Sequence, residues 1–125
     1  MKKLLALTLL LSAAGLGVAG SKTNRTVYIS GNWVSGSLGG ARNSGDTTQY
    51  IGCYVYGNEA SNFKSMYCSA RDVSGTHLNC YSDAPAVVDI AGRLNSDSFL
   101  QFTVNTAGDC MSIRVDNYSY DVPKQ

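Results

Sequence analysis

Four cysteines, one histidine and nine carboxylates are the side chains with which this 125-residue chain could do chemistry. Cys53, Cys68, Cys80 and Cys110, in a short chain that begins with an export leader, read as two disulfides rather than as metal ligands. His77 is the only histidine, so any site built on two or more imidazoles is excluded. One imidazole would suffice for a Ser-His-Asp or Cys-His arrangement. His77, however, follows the dipeptide Ser74-Gly75 and reads as a solvated residue near a hairpin tip. No serine sits in a G-x-S-x-G elbow: Ser37 has Gly39 after it but Ser35 where the first glycine belongs. The run GNWVSGS, residues 31–37, has the glycine spacing of a phosphate loop, yet Ser37 stands where lysine is needed.

The carboxylates are scattered singly from Asp46 to Asp121, so a glycosidase-type acid/base pair has no support in the sequence. Asn95, Asp97 and Ser98, or Asp116, Asn117 and Asp121, offer oxygens to a calcium ion, but neither group has a known loop spacing and turn solvation accounts for both. The residues therefore imply no catalytic set, no metal and no cofactor. Tyrosines are the most informative surface candidates. Tyr50, Tyr54 and Tyr67 with Arg71 could form a platform that stacks on sugars or on a protein, since tyrosine offers apolar area and a hydroxyl at low entropic cost. The competing use, a second core layer with hydroxyls bonding at its rim, is the commoner fate of aromatics in β domains. Trp33 is open in the same way, as a lid over the core or an exposed anchor.

Positioning these residues requires strands. Short alternating runs separated by Gly, Ser, Asn and Asp, with little helical periodicity, predict an antiparallel β domain. Val27 to Ser30 reads as a first strand, followed by an irregular, glycine-rich excursion with a short strand around Trp33 and Val34. In QYIGCYVYG, residues 49–57, Ile51, Cys53 and Val55 alternate with Tyr50, Tyr54 and Tyr56. Folding this run onto residues 66–71 sets Cys53 opposite Cys68, Val55 opposite Met66 and Ile51 opposite Ala70, with Tyr54 beside Tyr67 and Tyr50 beside Arg71 on the other face. A tight turn at Ser74-Gly75 predicts Cys80 beside Ser69, away from the face of Cys68. A third hairpin, turning at residues 105–109, pairs Leu100, Phe102 and Val104 with Val115, Ile113 and Met111 and leaves Cys110 on the other side. Cys80 and Cys110 then share a face, which suggests the pairs Cys53–Cys68 and Cys80–Cys110, although four cysteines allow three pairings. Between the last two hairpins, Pro85 after a Ser82 or Asp83 cap, with Val87, Ile90, Ala91 and Leu94 on one face, predicts one short helix.

The leader is MKKLLALTLLLSAAGLGVAG, residues 1–20, with two lysines, an apolar run and small residues toward a cleavage site near Ala19 or Gly20. The apolar run is shorter than the roughly 20 residues of a membrane-spanning helix. Residues 21–125 then form a single domain, small enough to benefit from covalent staples. Without Lys2 and Lys3, eight of the ten basic residues remain against nine acidic ones. That near-neutral balance disfavours nucleic acid and anionic membranes as partners.

Ala41-Arg42-Asn43-Ser44 and Tyr50-Ile51-Gly52-Cys53, followed by Cys68, Arg71-Asp72, Gly75, Cys80, Asp97-Ser98, Cys110, Tyr118-Ser119 and Pro123-Lys124, give the chain its one resemblance. It resembles a set of small exported cysteine-containing proteins of Gram-negative bacteria, and the resemblance implies no activity, ligand or catalytic residue. The expectation is a secreted or periplasmic, mostly β protein, an antiparallel β-sandwich of hairpins with one short helix and two disulfides. It would act as a non-catalytic binding or surface-associated module for a glycan or protein, with contacts through Trp33, Tyr50, Tyr54, Tyr67 and Arg71. The alternatives are an inhibitor of a secreted hydrolase, presenting an exposed loop over Gly57 to Lys64, and a small secreted hydrolase using His77. Self-assembly through an unprotected edge such as Val27 to Ser30 is a variant of the first reading.

Overall fold

The structure, a computed structural model, describes residues 23 and 25–121. The expected leader over residues 1–20 lies outside the described residues. Two antiparallel sheets and two α-helices make up the domain. The four-stranded sheet contains β1 (Tyr28–Ser30), β2 (Trp33–Ser37), β6 (Phe99–Val104) and β7 (Cys110–Asp116), in that spatial order. The three-stranded sheet is built from β3 (Tyr50–Asn58), β4 (Phe63–Arg71) and β5 (His77–Ser82), with β4 in the middle. Their facing side chains share one core, including Val34, Leu100 and Phe102 from the first sheet and Ile51, Met66, Cys68, Ala70 and Cys80 from the second. The sheets also meet at one corner, where the Tyr81 amide donates to the Gly108 carbonyl at 3.0 Å.

The glycine-rich excursion is more ordered than its composition suggests. β2 runs on to Ser37, and Ser37 caps a second helix, α1 (Leu38–Arg42), by accepting from the Gly40 amide at 3.0 Å. The expectation of one helix is therefore corrected to two. Gly39 and Gly40 are poor helix formers, but both are buried with Ala41, so the cap and the packing outweigh propensity. Gly36 is closely packed: a Cβ there would stand 3.1 Å from the Cα of Val27, and the neighbouring backbone would have to give way to admit it. The expected helix, α2 (Pro85–Ala91), starts at Ala84 rather than at Ser82 or Asp83, and Val88 and Ala91 form its buried stripe with Val87 and Leu94 packed alongside.

The first hairpin has the expected register, with Cys53 opposite Cys68, Tyr54 opposite Tyr67 and Tyr50 opposite Arg71. The second is shifted by one residue, and the third keeps the expected Leu100–Val115 and Phe102–Ile113 pairs but departs by one residue at its turn end. Instead of a two-residue loop, the β4–β5 connection is the five residues 72–76, closed by the Asp72 amide on the Thr76 carbonyl at 3.0 Å, with Gly75 at φ +90°. The Asp72 carboxylate accepts from the Ser74 hydroxyl and the amides of Ser74 and Thr76, which holds it below the usual carboxylate range. The resulting one-residue shift of register reverses the face of every β5 side chain. Cys80 therefore lies opposite Cys68, in the core, and Asn79 lies opposite Ser69. In the third hairpin, Val104 pairs with Cys110 while Thr103 pairs with Ser112, so Met111 is a bulge. The bulge turns Cys110 inward and leaves Met111 exposed.

The two corrections cancel for the disulfides, which are Cys53–Cys68 and Cys80–Cys110. The sulfurs of Cys68, Cys80 and Cys110 lie within 4.8 Å of one another, a spacing that would suit a metal ion, but among the described residues no cysteine is free. Two disulfides fit an oxidising environment, and no described helix is long and apolar enough to cross a membrane.

Cys53–Cys68 closes a separation of 15 residues within one hairpin, whereas Cys80–Cys110 closes 30 and joins the two sheets. Loop entropy assigns roughly 3 kcal/mol to the first and about 3.6 to the second. Replacing Cys80 and Cys110 together by serine should therefore cost more, in urea unfolding, than replacing Cys53 and Cys68. Equal costs would mean that neither the longer loop nor the joining of the sheets adds to the stability.

The loop that leads into β3 has its own pH signature. Asp46 accepts from the Gln49 side chain and from the Gln49 and Thr48 amides, and these bonds lower its pKa from 3.8 to about 2. Its stabilising contribution is present above pH 3.8 and is lost as the pH falls from there through about 2. NMR titration should locate the Asp46 midpoint in that low range, and Asp46→Asn should flatten the acid limb of the stability profile.

Candidate functional site

Alternation within β3, β4 and β5 gives the three-stranded sheet two unlike faces. Cys53, Met66, Cys68, Ala70 and Cys80 point to the core. The opposite face carries Tyr50, Gly52, Tyr54 and Tyr56 from β3, Phe63, Tyr67, Ser69 and Arg71 from β4, and His77, Asn79 and Tyr81 from β5. Tyr50, Tyr54, Tyr56, Phe63 and Tyr81 are exposed and Tyr67 is half-buried. The rings are thus an outer surface and not a second core layer. Nothing on the inner side has room for them, because the core is closed by the other sheet and α2.

Within this face the side chains order one another. Tyr54 and Tyr67 stack across the strands, with ring centres 5.6 Å apart and planes at 25°. Tyr56 and Phe63 lie 6.5 Å apart further along. The Arg71 guanidinium sits 5.7 Å from the Tyr50 ring centre, close enough for cation–π attraction. Between Tyr50 and Tyr54 the row is broken by Gly52, opposite Ser69, two small residues where the neighbours are rings. The gap is a shallow groove of about 380 Å³ lined by Tyr50, Gly52, Cys53, Tyr54, Tyr67 and Ser69.

Polar groups border the groove. The Ser69 hydroxyl lies 3.1 Å from His77 Nε2 and 3.4 Å from the Tyr50 hydroxyl, and Asn79 Nδ2 donates to the Tyr67 hydroxyl. Ser69 and His77 have the spacing of a nucleophile and its base. Further requirements of that chemistry are not met here: among the described residues no carboxylate bonds to His77, and β4, paired on both sides, has its amides engaged in ladders rather than free to hold an oxyanion. The arrangement is suited to binding through rings, hydroxyls, an imidazole and an amide.

The structure brings together Tyr50, Tyr54, Tyr67 and Arg71 but not Trp33. Trp33 lies on β2 of the other sheet, opposite Thr103, half-buried and edge-on to Tyr28 at 5.7 Å. Gly52, Ser69, His77 and Asn79 were absent from the expected contact set. For β5 the missing signal was Asp72-x-Ser-x-Thr, whose side-chain bonds shape a five-residue connection that shifts the register by one and turns His77, Asn79 and Tyr81 onto the ring face. The proposed inhibitory loop is also reshaped: Gly57 pairs with Lys64 and Asn58 with Phe63, so only residues 59–62 form the tip, with Asn62 at φ 51°.

Several of the oxygens considered for calcium are engaged elsewhere. Asn117 Oδ1 accepts from both Asn95 and Ser98, Asp97 lies 3.9 Å from Arg42, and Asp116 is held by two bonds from Arg114. Asp121 is buried 3.3 Å from Arg25, and burial pushes its carboxyl above the usual range against the pull of that arginine. A larger cleft of about 570 Å³, between Gly31, Asn32, Leu78, Val104, Asn105 and Thr106, has no ionisable lining residue, and Asn105 is occupied by bonds within its own turn. In comparisons with protein family models, curated proteins and solved structures, the chain matches none.

Because Tyr54 is 63% exposed, Tyr54→Ala should lower stability by no more than about 1 kcal/mol. Phe102→Ala, which removes a fully buried ring, should cost roughly 3–5 kcal/mol. Urea unfolding of both variants checks this, and similar losses would place Tyr54 in the core.

Proposed function

We propose that this protein is an exported, non-catalytic binding module that recognises carbohydrate on the outer face of β3, β4 and β5. The observation that carries the reading is the exposed Tyr54–Tyr67 stack beside the groove over Gly52 and Ser69. A sugar ring has apolar C–H faces and a hydroxyl rim. The tyrosine rings offer flat apolar area to the first. Ser69, His77, Asn79 and Arg71 offer donors and acceptors to the second. The face has no cluster of like charge, which suits a neutral ligand. Export is supported by the leader-like residues 1–20 and by two disulfides in a small domain. The inhibitor reading has less support, because half of the expected loop is paired strand and only residues 59–62 form its tip.

A glycan array followed by calorimetry on the best ligand tests the proposal. Tyr54→Ala and Tyr67→Ala should each weaken binding roughly three- to tenfold, the value of one aromatic contact. Trp33→Ala, on the other sheet, should leave it unchanged. Binding insensitive to both tyrosines, or equally sensitive to Trp33, would overturn the proposal.

A further inference from the structure

β3 is an edge strand along its full length, and its open side is defined by the disulfide beside it. The Cα atoms of Cys53 and Cys68 are 4.0 Å apart, the close spacing of a strand pair that does not exchange backbone hydrogen bonds. The N–H and C=O of Cys53 therefore point away from β4, and so, two and four residues further along the strand, do those of Val55 and Gly57. Bonding at the β4–β5 loop agrees: the Asp72–Thr76 pair exchanges a bond, and counting back by twos makes Cys68 bond toward Cys80 rather than toward Cys53. Among the described residues these three outward positions have no other backbone partner.

Protein edges are ordinarily defended by lysine, proline, inward charge or a bulge. Over its nine residues, YIGCYVYGN, β3 has none of these. Val55 is also out of place, a β-branched side chain on the core-facing side that is 45% exposed.

We propose that a second copy of this chain adds antiparallel to β3 across a two-fold axis at Val55. Two constraints select that register. Helix α1 packs beside the Tyr50–Ile51 end of β3, so the partner strand must lie over the Cys53–Asn58 end. The three outward residues are then centred on Val55, which meets its own copy while Cys53 faces Gly57, giving six backbone bonds. On the ring face, Tyr54 of each copy stands beside Tyr56 of the other. No charge opposes the approach, since β3 is uncharged and the chain without its leader lysines is close to neutral. At roughly 150–250 Å² for a fully buried ring, Tyr54 and Tyr56, 63% and 49% exposed, bring on the order of 200 Å² per copy. That is well under the roughly 800 Å² per partner of a standard interface, so the dimer forms and dissociates with concentration. The result is a six-stranded sheet with two ring faces side by side, which would present two glycan sites together.

Sedimentation velocity from low micromolar to millimolar concentration tests this, with hydrogen exchange read at both ends. The wild type should double in mass as concentration rises, and the amides of Cys53, Val55 and Gly57 should become protected with it. Val55→Lys and Val55→Glu should each remain monomeric, because like charges would face each other at the axis. An equimolar mixture of the two should regain the dimer. A wild type that stays monomeric throughout, single variants that still dimerise, or a mixture that does not recover would each overturn the proposal. Val55 points away from the ring face, so glycan binding by the Val55→Lys monomer is scored separately and can fail or succeed without the dimer.

Discussion

A row of half-cystines across four strands is the constraint on which the rest depends. Cys53, Cys68 and Cys80 stand side by side on β3, β4 and β5, and Cys110 reaches across from β7. Each bond requires its two Cβ atoms to be within about 4 Å, so each fixes a strand register to the residue. The first bond sets β3 against β4. The second sets one sheet against the other, which no hairpin in the chain does. In a domain of this size, with limited apolar area to bury, that covalent row stands where a larger protein would have more core.

Once the cysteines face inward, the pleat decides what faces outward. Tyr50, Tyr54 and Tyr56 have no alternative side, and the aromatic face follows from the disulfide on the opposite face. The parity extends to the backbone. A close, non-bonded pair at Cys53 directs the Tyr54 and Tyr56 amides to β4 and those of Val55 and Gly57 to the free edge. A single geometric choice at one cross-strand pair thereby sets the core, the ring surface and the unpaired edge. Gly52 matters in the same frame: it interrupts the row of rings between Tyr50 and Tyr54, and the groove is the space it leaves.

The polar groups of the site show how small a change in loop chemistry redirects a surface. Asp72, through bonds to Ser74 and Thr76, makes a five-residue connection where Ser74-Gly75 suggested two. His77, Asn79 and Tyr81 then belong to the ring face and Cys80 to the core. Met111 performs the matching shift on β7. Neither shift alone is compatible with Cys80–Cys110, because one cysteine would face inward and the other outward.

By itself the sequence determined the β class, the register of the β3–β4 hairpin with Cys53 opposite Cys68, and the sharing of one face by Tyr50, Tyr54, Tyr67 and Arg71, while it left three cysteine pairings open. Alternation with period two and a fixed cross-strand partner are local properties, and they survive whatever packs against them. Tertiary structure alone decided that the rings lie outside, that Trp33 belongs to a different surface, that Gly39 and Gly40 are helical, that β5 turns over by one residue, and that a bulge at Met111 turns Cys110 inward at the end of β7. Those outcomes depend on which layer covers which face and on side-chain bonds within loops. A linear pattern carries no record of either until the two sheets meet.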